Sequence, residues 1–213
     1  MRLMKKQQIS FFSLVVVTLF FIIIPEPSFC GPIVNPNPVL RSGDTLPKIF
    51  LSNVLTPEDK KYLGIGEKKI FSLEDIKSDL LVIKYLNTNC VYCIKLLPTF
   101  NDIHRVIGQD ENLMARIKII GISAGDTPLE VEAFKKSHSI PFRVVPDPDF
   151  RAHKAVGEPR VPFIVVAAKD KQGQWVVATV HVGLIFSAEH FIGELKTILA
   201  IDPETLKMKK SSP

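Results

Sequence analysis

Two of the three cysteines in this 213-residue chain stand together, in the stretch Asn87-Thr88-Asn89-Cys90-Val91-Tyr92-Cys93. Two thiols at this spacing can hold half of a metal site, close a small loop, or exchange electrons. A paired zinc site needs a second cysteine pair or two closely spaced histidines. The histidines (His104, His138, His153, His181, His190) are dispersed instead, and read as surface or capping residues. As a staple the pair is weak, because a loop this short gains little in the chain-entropy model. Redox chemistry remains, beside the bland alternative of two inert core thiols. The attacking species is a thiolate, and an ordinary cysteine with a pKa of about 8.5 is mostly protonated at neutral pH. The first turn of a helix supplies unpaired N–H groups and the positive end of the helix dipole. Cys90 falls where an apolar run ends and a helical pattern begins, so an anion there is expected to be stabilised. Cys93, one turn on, can reach back and resolve a mixed disulfide formed at Cys90.

The elements that must position this pair follow from periodicity. Residues 80–83 are continuously apolar, as in a strand covered on both faces. After the motif, Ile94, Leu97, Phe100, Ile103 and Ile107 recur at helical spacing, and Pro98 inside that pattern predicts a kink. Residues 117–122 predict a second buried strand. Leu129, Val131 and Phe134 mark a helix that dissolves near 138–141. Residues 142–145 predict a short strand, and 150–156 one or two helical turns ended by Gly157. Residues 162–168 and 175–180 read as strands joined into a hairpin by the polar turn KDKQGQ. Ser187 caps a last helix bearing Phe191, Ile192, Leu195, Ile198 and Leu199. Ahead of these, residues 46–51 read as an edge strand tolerating Pro47 and 69–71 as another strand, and Ser72 with Asp75 resembles a helix start. Strand–helix alternation, then a hairpin and a closing helix, predicts an α/β fold: a central mixed β-sheet flanked by helices on both faces.

The chain opens on a basic start, MRLMKK, followed by an uncharged apolar run over residues 9–24 and then Pro25-Glu26-Pro27. That order is a secretory leader. The run of 16 residues is short for a membrane span. Three fates fit: cleavage after Cys30, an uncleaved anchor through residues 9–24, or lipidation at Cys30, which bulky Phe29 disfavours. All three put the bulk of the chain outside the cytoplasm. Losing Arg2, Lys5 and Lys6 with Glu26 leaves 24 basic and 21 acidic residues, net +3, too mild to argue for nucleic acid. The expected divisions are residues 1–30 as signal peptide or anchor, 31–45 as a Pro- and Asn-rich arm, 46–201 as one domain, and 202–213 as a basic solvated tail. Hydrophobic residues make up 46% and charged ones 23%, enough for one packed core.

Quoted together, the segments GDTLPKIFL, LLVIKYL, NCVYC, Pro98, the long run from IIGISAGDTP to FRAHKAVG, and RVPFIVVAAKDKQGQ resemble a thioredoxin fold. Residues 43–199 resemble the exported TlpA/ResA-like thiol-disulfide oxidoreductases of the redoxin group. The resemblance implies that Cys90 and Cys93 are the catalytic pair. It implies that Pro162 is cis and lies against them, and that Val161 offers its backbone to an extended partner peptide as an added strand. Glu158 and Arg160 would lie near the mouth. Three departures stand out. Asn89 replaces a usual tryptophan. Val91 and Tyr92 stand between the cysteines without the common proline. Lys84, six residues before Cys90, replaces a buried acid or asparagine. Pointing inward, Lys84 would have its pKa depressed by burial while its charge favours a thiolate; otherwise its stem reaches solvent past the sheet edge.

The function this implies is an extracytoplasmic reductase of protein disulfides, secreted, periplasmic, or tethered to the outer face of the inner membrane. No G-x-G-x-x-G appears, so no nucleotide cofactor is expected and no metal is assigned. The resemblance implies a membrane-bound thiol reductase as electron donor and exported thiol proteins, apocytochrome c among them, as partners. Alternatives are a dithiol oxidase or isomerase, and a Cu(I) chaperone using both cysteines with His153 or His181. A peroxidase is a further reading, but the Pro-x-x-x-Thr-x-x-Cys pattern is absent, Thr88 lying only two residues before Cys90.

Overall fold

The computed structural model describes residues 39–208 apart from Asn53, all within one compact unit, Asn35–Pro213. The leader and most of the arm expected over residues 1–30 and 31–45 lie outside the described residues. Among the described residues no helix is long and apolar enough to cross a membrane.

The centre of the molecule is β3 (Leu80–Leu86), a strand whose seven residues are all buried. Its alternate side chains enter two different cores, which is why the run is apolar without a polar period. Leu80, Val82 and Leu86 join one cluster with Phe100, Phe134 and Phe191, and Leu81, Ile83 and Tyr85 join another with Phe71, Ala152 and Trp175. On one side β3 pairs in parallel with β4 (Ile117–Ala124), which pairs in parallel with β5 (Arg143–Asp147). On the other it pairs antiparallel with β6 (Phe163–Lys169), and β6 forms the expected hairpin with β7 (Trp175–Val182). The sheet order is therefore β5-β4-β3-β6-β7, mixed as the sequence predicts. A separate pair, β1 (Phe50–Ser52) with β2 (Ile70–Ser72), runs antiparallel. The Ser72–Asp75 capping box is present and opens a single 3₁₀ turn, Leu73–Asp75.

The helices keep most of the expected bounds. The motif helix is split into α2 (Val91–Lys95) and α3 (Leu97–Gln109), with Leu96 at the joint and Pro98 in the first turn of α3. Pro98 has no N–H for a bond to the preceding turn, so the axis bends there. α5 (Pro128–Ser137) begins at a Thr127–Glu130 capping box, α6 is Arg151–Ala155, and α7 (Ala188–Leu199) starts at Ser187, whose hydroxyl accepts the His190 N–H. Two short helices ahead of β4 lack a sequence forecast. α1 (Pro57–Leu63) is capped by Thr56 and stopped by Gly64 at φ 68°, and α4 (Glu111–Arg116) is capped by Asp110.

Three expectations need correction. The strand foreseen over residues 46–51 is confined to its last part, because Pro47 cannot donate to a ladder. Residues 43–46 lie instead along the outer edge of β7: Gly43 N–H donates to the Val177 carbonyl (2.8 Å), Val177 N–H to Asp44 (2.8 Å), and Leu46 N–H to Trp175 (2.8 Å). Leu40 is buried with them, so the packed body begins ahead of residue 46. At the other end, α8 (Pro203–Met208) buries Leu206, so part of the expected tail belongs to the core.

Candidate active site

The backbone leaves β3 at Leu86 and must turn into α2 within three residues. The turn is built by Asn87, Thr88 and one carboxylate. Asp126, itself 2% exposed, accepts the Thr88 N–H (2.9 Å), the Thr88 hydroxyl (2.8 Å), the Asn87 amide (3.2 Å) and the Ser123 hydroxyl (2.6 Å). Asn87 also donates to the Ala124 carbonyl (2.9 Å), and its own oxygen accepts the Asn89 N–H (3.0 Å). The loop before the cysteines is thus pinned to the end of β4. Next to Asp126, Gly125 sits at φ 80°, and a Cβ there would meet the Phe150 ring at 2.3 Å. The position demands glycine on both grounds.

Cys90 is the N-cap of α2. Its half-buried sulfur accepts the Cys93 N–H at 3.2 Å and its thiol points at the Val161 carbonyl at 3.6 Å. The Val161–Pro162 peptide is cis, as the resemblance implies, and Pro162 is buried. Two ties hold this segment. The Pro162 carbonyl accepts the Gly183 N–H (2.8 Å), and His153 Nε2 donates to the Pro159 carbonyl (2.8 Å). Glu158 and Arg160 are exposed on the same loop.

Cys93 is fully buried in the core under α2. Burial, and next the hydrogen bond with Cys90, push its thiol up to about 12, against the opposing influence of the Asn87 backbone and the Lys84 cation. The two sulfurs therefore differ in kind: one reaches the surface and the other is a guarded thiol. Lys84 points inward. It is 0% exposed, its Nζ has no hydrogen-bond partner, and it rests 4.6 Å from the centre of the Phe100 ring. Burial lowers its ammonium to about 8, opposed by the charges of Cys93 and Cys90.

Val91 and Tyr92 lie outside, each 60% exposed, and Asn89 is exposed beside them. Val182, Leu184 and Phe186, at the end of β7 and just after it, are also exposed. Beside Cys90, Val91 and Tyr92 form an open apolar rim on α2, and the turn after β7 is tied to the cis-proline segment through Gly183. The histidines of the copper reading are engaged elsewhere, His153 with Pro159 and His181 with Glu194 (3.0 Å). Among the described residues no group of three or more His, Cys, Asp or Glu is arranged to hold a metal ion. Sequence reasoning missed Asp126 and Asn87, and read His153 as a surface or capping residue or a copper ligand, not as a tie to the Pro159 carbonyl. The signal for Asp126 was present in Gly125-Asp126-Thr127-Pro128 after a buried strand, but its loop partners Thr88 and Asn87 lie 38 and 39 positions away.

Comparison with solved structures identifies the class as a thioredoxin-like fold. A protein assigned as a DsbE-type thiol:disulfide interchange protein from Chlorobium tepidum superposes with TM-score 0.55 at 15% identity, covering 76% of this chain and 99% of that one. The thioredoxin domain of a thiol-disulfide oxidoreductase from Bacteroides vulgatus gives 0.54 at 12% identity, covering 75% and 99%. A DsbF homologue from Corynebacterium diphtheriae gives 0.51 at 19% identity, covering 72% and 85%. No curated protein matches the chain. The AhpC/TSA family model matches residues 56–180, more than half of the length, and the chain belongs to that family.

Proposed function

We propose that the protein is an extracytoplasmic thiol-disulfide oxidoreductase working through Cys90 and Cys93. One observation carries the reading: a surface-reaching sulfur caps α2 beside the Val161 carbonyl, with a buried thiol one turn behind it. Cys90, as thiolate, attacks a protein disulfide, a mixed disulfide forms, and Cys93 closes on Cys90 and releases the reduced partner. Val161 offers backbone polar groups to an extended substrate strand, and the apolar rim meets its side chains. The peroxidase reading loses support because the Thr88 hydroxyl donates to Asp126.

The favoured direction is reduction of exported proteins, apocytochrome c included, fed by a membrane-bound thiol reductase. The leader pattern over residues 1–30 supports an exported or membrane-tethered location. One observation favours the opposite direction: a buried cation under the sulfurs stabilises thiolate, and hence the dithiol, which raises the reduction potential. A potential of about −270 mV marks a reductant and one of about −120 mV an oxidant. The deciding test is turnover of a protein disulfide by the purified chain. Cys90→Ser should abolish it, and Cys93→Ala should accumulate a mixed disulfide at Cys90 whose partner can be identified by mass. Full activity in Cys90→Ser would overturn the assignment.

A further inference from the structure

The segment that runs from the start of α6 to the cis peptide bond is bent against its own preferences. Phe150 (φ 57°), Gly157 (φ 89°) and Glu158 (φ 53°) all lie in the left-handed region. For a phenylalanine or a glutamate that conformation is unfavourable and persists only where the surroundings impose it. At the start of the segment the holder is Asp147, a buried residue whose carboxylate accepts the N–H groups of Ala152 (3.1 Å) and His153 (2.9 Å). At its far end the holder is His153. The His153 carbonyl accepts the Glu158 N–H (3.1 Å), and the ring Nε2 donates to the carbonyl of buried Pro159 (2.8 Å). The ring is itself confined, its centre 6.1 Å from that of Phe150 and 6.2 Å from that of Tyr85 on β3. Just beyond Pro159, the Val161 carbonyl faces the Cys90 thiol, and on the other side of Val161 the Pro162 carbonyl is fixed by Gly183. Val161 thus hangs between two pins, and the one at Pro159 is made by a side chain.

Deepening the dithiol reading above and resting on it, we propose that His153 is a positioning residue. It sets the Val161 backbone at the height where an extended peptide can add beside Cys90. It thereby governs how well the protein takes peptide disulfides relative to small disulfides that carry no backbone. The ring acts through the chain between Pro159 and Val161, not on the sulfurs. Without the Nε2 proton the buried Pro159 carbonyl loses its donor, and the turn at Gly157 and Glu158 loses a contact that imposes its conformation. The loop then relaxes away from Cys90, and an added strand loses its register with the thiolate. A misplacement of about 1 Å can cost on the order of a hundredfold in rate. A disulfide that brings no backbone has no register to lose. A histidine that only propped the fold would, on removal, slow the reaction with every disulfide alike.

Two probes that release the same coloured thiol separate these outcomes in the reduced full-length chain in detergent. One is the symmetric nitrobenzoate disulfide. The other is an extended peptide whose single cysteine is capped by nitrothiobenzoate. With each, the S–S bond of the probe breaks, a bond from Cys90 sulfur forms, and nitrothiobenzoate leaves as thiolate. Cys93 then closes on Cys90 and releases the remaining thiol. The quantity read is the ratio of the peptide rate constant to the small-disulfide rate constant. His153→Leu should lower that ratio about tenfold or more, and so should His153→Asn, whose amide is too short to reach Pro159. His153→Gln, with a donor at nearly the reach of Nε2, should restore it to within about twofold of wild type. An unchanged ratio in His153→Leu or His153→Asn, or an equally low one in His153→Gln, refutes the role of His153 and leaves the dithiol reading standing. Absence of colour from both probes in the wild type refutes both. Should neither His153→Leu nor His153→Asn fold, nitrogen-15 spectra of the intact ring decide. The neutral ring must carry its proton on Nε2, and that proton must exchange with water more slowly when Cys93→Ala holds the peptide as a mixed disulfide. A proton on Nδ1, or unslowed exchange, overturns the proposal.

Discussion

Replacing Lys84 by methionine should make the protein more stable. The unfolded chain keeps the lysine proton up to about 10.5, and the folded protein only up to about 8. The ammonium therefore opposes folding, by about 3 kcal/mol when both states are protonated. The sign follows from proton binding. Between pH 8 and 10.5 the unfolded state binds more protons, so wild-type stability rises across that window, and below it the full penalty applies. Methionine fills a similar volume without charge. It gives up an ammonium–ring contact with Phe100 worth about 1 kcal/mol and gains a sulfur contact with the same ring. The net expectation at pH 7 is about 2 kcal/mol of stabilisation, or a rise in urea midpoint of about 1 M at a slope of about 2 kcal/mol/M. Urea unfolding of wild type and Lys84→Met, both kept reduced, from pH 7 to pH 10 measures the difference directly. It should be largest at pH 7 and shrink as the pH rises. A loss of stability, or a difference that does not change with pH, would refute the reasoning that Lys84 is a cation whose burial opposes folding.

Asp126→Ala leaves the Thr88 and Asn87 donors without their acceptor and should destabilise the fold by about 3 kcal/mol, read by urea unfolding, and also slow disulfide turnover. Asp126→Asn, which keeps an acceptor oxygen, should lose less. Gly125→Ala forces a side chain into positive φ and into the Phe150 ring, so the urea midpoint should fall by the equivalent of about 2 kcal/mol or more. A chain beginning at residue 46 should be less stable than one beginning at residue 39 by about 3 kcal/mol, because it loses Leu40 and two hydrogen bonds to β7. In the reduced protein at pH 8, iodoacetamide should modify Cys90 and spare Cys93, as peptide mass mapping would show.

Much of this architecture was legible because its signals are local. The unbroken apolar run of β3, the spacing of Ile94 to Ile107, and the KDKQGQ turn each specify an element without help from distant residues. α1 and α4 were missed because each is barely two turns and buries one apolar residue. Their caps, Thr56 and Asp110, were nonetheless present in the sequence. The arm was misjudged because its order comes from β7, more than a hundred positions later. In the site, the cysteine pair announced itself, whereas the Asp126 clamp depends on chain ends meeting at the edge of two strands. The inward aim of Lys84 was undecided for a definite reason. Alternation puts it on the face of Val82 and Leu86, but a strand buried on both sides has no wet face against which to read it.

The contact between the Cys90 thiol and the Val161 carbonyl has a consequence of its own. A sulfur that is ionised, or bonded to another sulfur, has no hydrogen to give. That carbonyl therefore loses its donor at the instant the dithiol is engaged, and its lone pairs become available to whatever backbone arrives with the bound chain. Its stretching frequency, isolated by carbon-13 labelling, would then act as a built-in gauge of the sulfur's state.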